Sequence, residues 1–262
     1  MPGSRKAAGG RVWPVNAMKN PNDMGAGTGG KATLTLPEAV YEDRQLMVIT
    51  KPNGWLSQAD GCGDRPDALE WARRRVADNR PQGGRPFVGL CHRLDRQVGG
   101  LMVIAKTSKA AARISAQFRE RAITKVYAAI CLGRPDPPEA DLSQDLLRDG
   151  CVTRLPRGQE SGTPCRLRYR VLGTGTVDGA RVARLEVELI TGFKHQIRAQ
   201  LSSIGHPIYG DGHYGAPGTA PGGEAIGLCS THLSFVHPIS RERMSFDCPL
   251  DKFWPFARFV AD

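Results

Sequence analysis

Along the chain, short apolar runs alternate with charged breaks rich in glycine and proline, and the rhythm becomes regular from Tyr41 onward. Leu46-Met-Val-Ile49 is an uninterrupted apolar run of strand length, turned sharply by Lys51-Pro52-Asn53-Gly54. Leu101-Met-Val-Ile104 repeats the strand signal. After it Thr107 or Ser108 can cap a helix in which Ile114 and Phe118 lie one turn apart, while Arg113, Arg119 and Arg121 take the other face. Lys125 to Leu132 alternates as a strand does, with Val126, Ala128, Ile130 and Leu132 on one side. Tyr127 and Cys131 lie on the opposite side, and the same alternation sends Lys125 to the face of Tyr127.

Residues 134 to 164 are rich in Pro, Gly and charge, and predict an excursion over the surface. Two further alternating strands follow: Leu167, Tyr169 and Val171 oppose Arg166, Arg168 and Arg170, then Leu185, Val187 and Leu189 oppose Glu186 and Glu188. A helix can start near Lys194, with Ile197, Leu201 and Ile204 on one stripe and His195, Arg198 and Ser202 beside it, and Gly205 and Pro207 set its end. Runs of strands broken by few helices, without strict strand–helix alternation, predict an α+β fold built on a half-exposed, largely antiparallel sheet with flanking helices.

Composition adds a partner class to this outline. The 262 residues carry 36 Lys and Arg against 26 Asp and Glu, a formal charge of +10 that suits an anionic partner such as nucleic acid or an acidic membrane face. The seven cysteines form no C-x-x-C pair and are expected to be reduced and mostly buried, as in a cytosolic protein. No apolar run approaches the roughly 20 residues of a membrane span, and the N-terminus has no signal-peptide stretch, so a cytoplasmic protein is expected.

Residues 1 to 35 show no apolar period and predict a flexible basic arm ahead of one domain over 36–262. The arm lacks the Ser-rich amphipathic character of a transit peptide. Its Gly25-Ala-Gly-Thr-Gly-Gly30-Lys31 nearly spells a phosphate-binding loop. The context fails: Ala32 stands where a magnesium-binding Ser or Thr belongs, no strand leads in, and Thr33-Leu-Thr-Leu-Pro37 reads as extended where a helix should begin.

His92-Arg93-Leu94-Asp95-Arg96 places one carboxylate among three cationic or potentially cationic groups, before what reads as a Gly-Gly turn and a strand. Alone, this pattern reads more simply as an ordinary surface salt bridge. Its setting argues for more, because residues 85 to 125 hold nine Lys or Arg and only two acids. A lone acid in a basic stretch fits a polyanion site with one reactive group, whose positive surroundings favour the carboxylate form. Lys125-Val126-Tyr127 sets a phenol beside a base, able to stack on a ring or exchange a proton, though a tyrosine packed in a sheet has the same pattern. Thr191-Gly-Phe-Lys-His195-Gln-Ile-Arg198 opens a helix with the donors Lys194, His195, Gln196 and Arg198 near its start, a phosphate-friendly arrangement.

Together these segments resemble the RluA-type pseudouridine synthases. His92-Arg-Leu-Asp95 with Gly99-Gly-Leu-Met-Val-Ile-Ala-Lys-Thr107 is similar to that family's catalytic motif, and Lys125-Val-Tyr127 to its tyrosine motif. Gly192, His195-Gln-Ile-Arg198, Leu201, Gly205-His-Pro-Ile208, Gly210-Asp211 and Tyr214-Gly215 match its arginine motif in order and spacing. Tyr41-Glu-Asp43 with Lys51-Pro52 and Gly54 resembles its opening segment, and Leu233-Ser-Phe-Val-His-Pro238 its closing strand. The likeness runs from about Leu36 to Phe253. Val98-Gly99 depart from the family's usual Thr-Ser, and Phe193-Lys194 from its frequent Arg-Thr.

The resemblance implies a mixed, largely antiparallel catalytic sheet with a central basic cleft, and an isomerase that needs no cofactor. It makes Asp95 the catalytic carboxylate, Arg198 its ion-pair partner, and Tyr127 the residue that stacks on the base and helps remove the carbon-5 proton. Arg93 would fill the place left by an extruded uridine, with His92, Arg96, Lys125, Lys194 and His195 as further RNA contacts. The implied partner is structured RNA, ribosomal or transfer, bound by a monomer with no metal and no membrane. Three rivals remain: a metal site drawn from His195, His206, His213, His232 and Cys229, whose spacings match no common zinc pattern; an inactive RNA-binding protein of the same fold; and a membrane-surface binder, for which no basic amphipathic helix is present.

Overall fold

The computed structural model describes residues 35–63, 65–79, 85–215, 225–248 and 254–256. The glycine–lysine run at 25–31 lies outside the described residues. Within them the chain forms β1 (Glu38–Glu42), β2 (Leu46–Lys51), α1 (Ala68–Asp78), β3 (Gly89–Leu90), β4 (Gly99–Ala105), α2 (Ser108–Arg119) and β5 (Thr124–Leu132). There follow β6 (Glu139–Asp149), β7 (Val152–Arg154), β8 (Thr163–Val177), β9 (Ala180–Leu189), α3 (Gln196–Ser203), β10 (Leu228–Val236) and β11 (Arg243–Asp247). The strands join in the order β1-β2-β4-β10-β5-β9-β8-β6-β7, with β3 on β4 and β11 on β10. Among the described strands the β4–β10 pairing is parallel and every other is antiparallel, which is the mixed α+β sheet expected.

The uninterrupted apolar runs are strands covered on both faces. Met47, Ile49, Met102 and Ile104 pack with Ala68, Ala72 and Val76 of α1, while Leu46, Val48, Leu101 and Val103 pack with Ile114 and Phe118 of α2. A strand with no wet face has no reason to alternate. Thr107 caps α2 as anticipated, accepting from the Ala110 N–H at 3.2 Å.

Four local readings are corrected. β5 is buried on both faces, because Trp254, Phe256 and Tyr209 cover Ala128 and Ile130 on the side opposite Tyr127. The surface excursion at 134–164 contains β6, an edge-region strand whose Ala140, Leu142 and Leu146 point inward while Asp141 and Asp145 point out. α1 was not anticipated; its small apolar residues are Ala68, Ala72 and Val76, and Asp67 caps it by accepting from the Glu70 N–H at 2.8 Å. Gly99 and Gly100 open β4 and do not form a turn.

The alternation in β8 and β9 holds as read. Arg166, Arg168 and Arg170 face outward and meet Asp141, Glu188 and Glu186 at 2.6, 3.2 and 3.0 Å. These arginines belong to a solvated ion-pair ladder. All seven cysteines are free thiols; Cys131, Cys165 and Cys229 are buried, and Cys62 and Cys151 are exposed. No described helix is long and apolar enough to cross a membrane.

Candidate active site

Asp95 begins the turn that leads into β4, closed by the Val98 N–H donating to the Asp95 carbonyl at 3.0 Å. The segment after β2 holds this turn in place. Ser57 Oγ donates to the Leu94 carbonyl at 2.7 Å and accepts the Leu94 N–H at 3.0 Å. Asn53 Nδ2 donates to Gln97 O at 2.6 Å, and the Gly54 N–H to Arg96 O at 2.9 Å. Lys51 is fully buried beneath, its ammonium shared among the carbonyls of Trp55 at 2.7 Å, Pro52 at 3.0 Å and Arg96 at 3.3 Å. Burial pushes its pKa down to about 7 against the opposing pull of Asp95. On the far side, Gly100 has φ 114°, and a Cβ there would come within 2.2 Å of Ser230 O on β10. Only glycine lets the parallel strands close behind the turn.

The guanidinium of Arg198 reaches this carboxylate from α3. Its Nη1 donates to Asp95 Oδ2 at 3.1 Å, while Nε and Nη2 donate to the two oxygens of Asp211 at 2.6 and 2.8 Å. Arg198 and Asp211 are 3% and 0% exposed, whereas the Asp95 side chain is 27% exposed. The pair is therefore anchored at its buried Asp211 end and open to the cleft at its Asp95 end. Burial opposes the charge on Arg198, but the ion pairs with Asp211 and then Asp95 outweigh it and raise its pKa.

His195 sits in the left-handed region at φ 53°, immediately before α3, and this backbone geometry turns its ring back over the cleft. Its Nε2 lies 3.6 Å from Asp95 Oδ2, and its Nδ1 is 3.0 Å from the Tyr214 hydroxyl. That hydroxyl accepts the Thr153 N–H at 2.8 Å, leaving its own proton for Nδ1. Burial holds the imidazole pKa down to about 4 despite Asp95, so the ring is neutral at physiological pH. Both Arg198 and His195 address Oδ2, so Oδ1 takes part in neither contact, and Asp95 lines the cleft.

Tyr127 stands opposite Ser230 across the β5–β10 ladder and is buried. Burial first, and the Asp95 charge second, push its phenol well above the usual range, so the phenol is protonated.

One cleft of about 1040 Å³ gathers Asp95, Tyr127, Arg198, His195, Arg93 and Lys194. Arg93 and Lys194 are exposed on its walls, and Arg96 is partly exposed. Two residues anticipated as cationic contacts have other duties. His92 turns Nε2 inward to accept the Val103 N–H at 3.0 Å and stacks on Phe118 at 4.6 Å; burial pushes it down to about 3, so it brings no charge. Lys125 is buried and donates to Thr191 O at 3.0 Å, bracing the turn ahead of α3, and burial lowers its pKa to about 8. Asp211, Tyr214, Thr153, Ser57 and Lys51 complete the site, although sequence reasoning assigned none of them a part in it. The Gly210-Asp211 and Tyr214-Gly215 pairs were visible, but nothing local marks an acid as the buried anchor of an arginine 13 residues away. Among the described residues no cluster could hold a metal ion, and His206 and His232 instead meet Leu132 O and Asp247 at 2.8 and 2.7 Å.

Residues 45–203 match the family described as RNA pseudouridylate synthase. The ribosomal large subunit pseudouridine synthase C of Vibrio cholerae is 32% identical over 217 residues, covering 81% of this chain and 65% of that protein. The dual-specificity RNA pseudouridine synthase RluA of Salmonella typhi is 33% identical over 215 residues, covering 81% and 92%, and that of Escherichia coli K12 is 31% identical over the same span. The solved structure of human RNA pseudouridylate synthase domain containing 4 shares the fold with a TM-score of 0.66 at 24% identity, over 86% of this chain and 93% of that one. Fold, site and comparisons agree that the chain belongs to the RNA pseudouridine synthases, isomerases that convert uridine to pseudouridine in RNA, and within them to the RluA type.

Proposed function

We propose that this enzyme modifies uridines in structured large-subunit ribosomal or transfer RNA, acting in the cytoplasm as a monomer without cofactor or metal. The observation that carries the proposal is the Asp95–Arg198 contact at 3.1 Å, made at the floor of an open cleft. Oδ1 of Asp95 faces the ribose or uracil of an extruded uridine, and Oδ2 is retained by Arg198 and His195. The bond between ribose carbon 1′ and uracil N1 breaks, the uracil turns, and carbon 5 bonds to carbon 1′. The proton leaves carbon 5 and N1 gains one, so the isomerisation balances without an external reactant.

Tyr127 supplies a ring face for the base. Once the new bond makes carbon 5 saturated, restoring the aromatic ring drives the proton off and a weak acceptor suffices. The Tyr127 phenol, protonated at rest, is assigned to relay it: its oxygen accepts the carbon-5 proton as its own hydroxyl proton passes to solvent in the open cleft. Arg93 fills the vacated stack, and Arg96 and Lys194 meet the backbone, while His195, read from the sequence as an RNA contact, has both ring nitrogens engaged by Tyr214 and Asp95. No observation favours an inactive protein over this reading.

The test is to incubate the protein with unmodified ribosomal and transfer RNA and map pseudouridine by chemical labelling. Label at defined uridines supports the proposal; none in either RNA refutes it.

A further inference from the structure

Beside the main cleft lies a second, smaller cavity of about 200 Å³. It shares Phe118, Arg119, Gly192 and Phe193 with the cleft and adds Arg121 and Thr163. Two guanidinium groups and two phenyl rings line it, with no carboxylate in its wall. Arg119 and Arg121 are both exposed, and neither forms an ion pair among the described residues. Elsewhere the contrast is plain: Arg166, Arg168 and Arg170 on the outer face of the sheet each hold a carboxylate.

The backbone here is shaped for presentation. Arg121 has φ 57°, a left-handed turn that ends α2 and stands just ahead of β5, and its charge is close enough to depress the Lys125 ammonium. Gly192 leaves the opposite lip without a side chain, and a Cβ there would meet nothing nearer than Lys125 Nζ at 3.7 Å. Phe193 packs its inner side on Leu146, Cys165 and Ala199 while lining the cavity. Unpaired guanidinium groups beside aromatic faces are the combination that holds single-stranded nucleic acid, charge for phosphate and ring for base.

We infer that this cavity is a nucleotide subsite: it takes the RNA residue flanking the extruded uridine, its phosphate on Arg119 and Arg121 and its base against Phe193. The inference rests on the RNA reading of the cleft and extends it by one nucleotide. It makes Phe193 a determinant of which flanking base is accepted.

Binding of a fluorescein-labelled oligouridylate is followed by anisotropy across a salt series, with Asp95→Asn as the parent so that no turnover intervenes. Removing both charges by Arg119→Ala with Arg121→Asn, the latter tolerated at positive φ, should reduce the log–log salt slope by about 1.4, or about 0.7 per lost contact. Phe193→Leu should weaken binding roughly tenfold with the slope unchanged, since stacking releases no counterions. Arg168→Ala, which removes a charge from the outer ladder, should leave slope and affinity as in the parent. Equal slopes for the parent and the double variant would overturn the subsite. Pseudouridine formation by the unaltered enzyme on ribosomal or transfer RNA is scored separately, so loss of the subsite and loss of the RNA reading give different results.

Discussion

Arg198 meets Asp95 through a single nitrogen, Nη1 to Oδ2 at 3.1 Å, because Asp211 occupies its other two at 2.6 and 2.8 Å. A planar fork can serve two carboxylates at once; an ammonium cannot reproduce that geometry. Arg198→Lys should therefore lose at least about 100-fold in kcat, an effect in the range of a lost charge-assisted donor of about 3 kcal/mol. Asp211→Asn should cost about 3 kcal/mol of stability, since it leaves the buried guanidinium short of its partner charge. Denaturant midpoints separate the two effects. A stable, fully active Asp211→Asn enzyme would show that the anchor is dispensable.

Tyr214 fixes the proton on His195. Because its hydroxyl accepts the Thr153 N–H, it donates to Nδ1, and the neutral ring then carries its proton on Nε2, toward Asp95 Oδ2 at 3.6 Å. Tyr214→Phe should lower kcat by roughly tenfold, the worth of one hydrogen bond, with KM little changed. Nitrogen-15 shifts of His195 should move from the Nε2–H form toward a tautomer mixture. Unchanged shifts would show that Tyr214 only packs.

His92 gives a pH signature. Its folded pKa, about 3, lies below the unfolded 6.5, so between those values the unfolded chain binds the extra proton. The stability contributed by neutral His92 is thus complete above pH 6.5 and is lost as pH falls toward 3, by up to about 1.4 kcal/mol per pH unit. His92→Gln keeps an acceptor for the Val103 N–H but cannot titrate. Its stability should fall less steeply than the native protein's between pH 6 and pH 4, as followed by urea melts; parallel slopes would mean His92 charges freely in the fold.

Much of this was legible in the chain, for identifiable reasons. Strands with one wet face announce themselves, and Arg166 to Arg170 did so by strict alternation. β6 was hidden because Pro137, Pro138 and a run of charges dominate the composition while its inward residues are only Ala140, Leu142 and Leu146. α1 was hidden by the small size of its buried residues, although Asp67 three places before Glu70 was a readable capping signal. At the site, Asp95 stood out as an acid in a basic stretch, Tyr127 and Arg198 took their assigned roles from the family resemblance, and the fold brings all three to one cleft. His92 and Lys125 were read as RNA contacts because a basic side chain in a basic stretch looks like a phosphate contact; in the fold burial lowers both pKa values and gives each a backbone partner. Lys51 and Asp211 act through carbonyls and a guanidinium brought near by folding, and no local pattern encodes that.

The proposed chemistry turns on the Asp95 carboxylate. Conversion of uridine to pseudouridine exchanges the hydrogen at carbon 5, so RNA carrying tritium there releases it to water with each turnover. The native enzyme should release tritium from ribosomal or transfer RNA, while Asp95→Asn should bind the same RNA with affinity within about threefold and release at least about 1,000-fold more slowly. Release by Asp95→Asn at a rate near that of the native enzyme would contradict the assignment of Asp95.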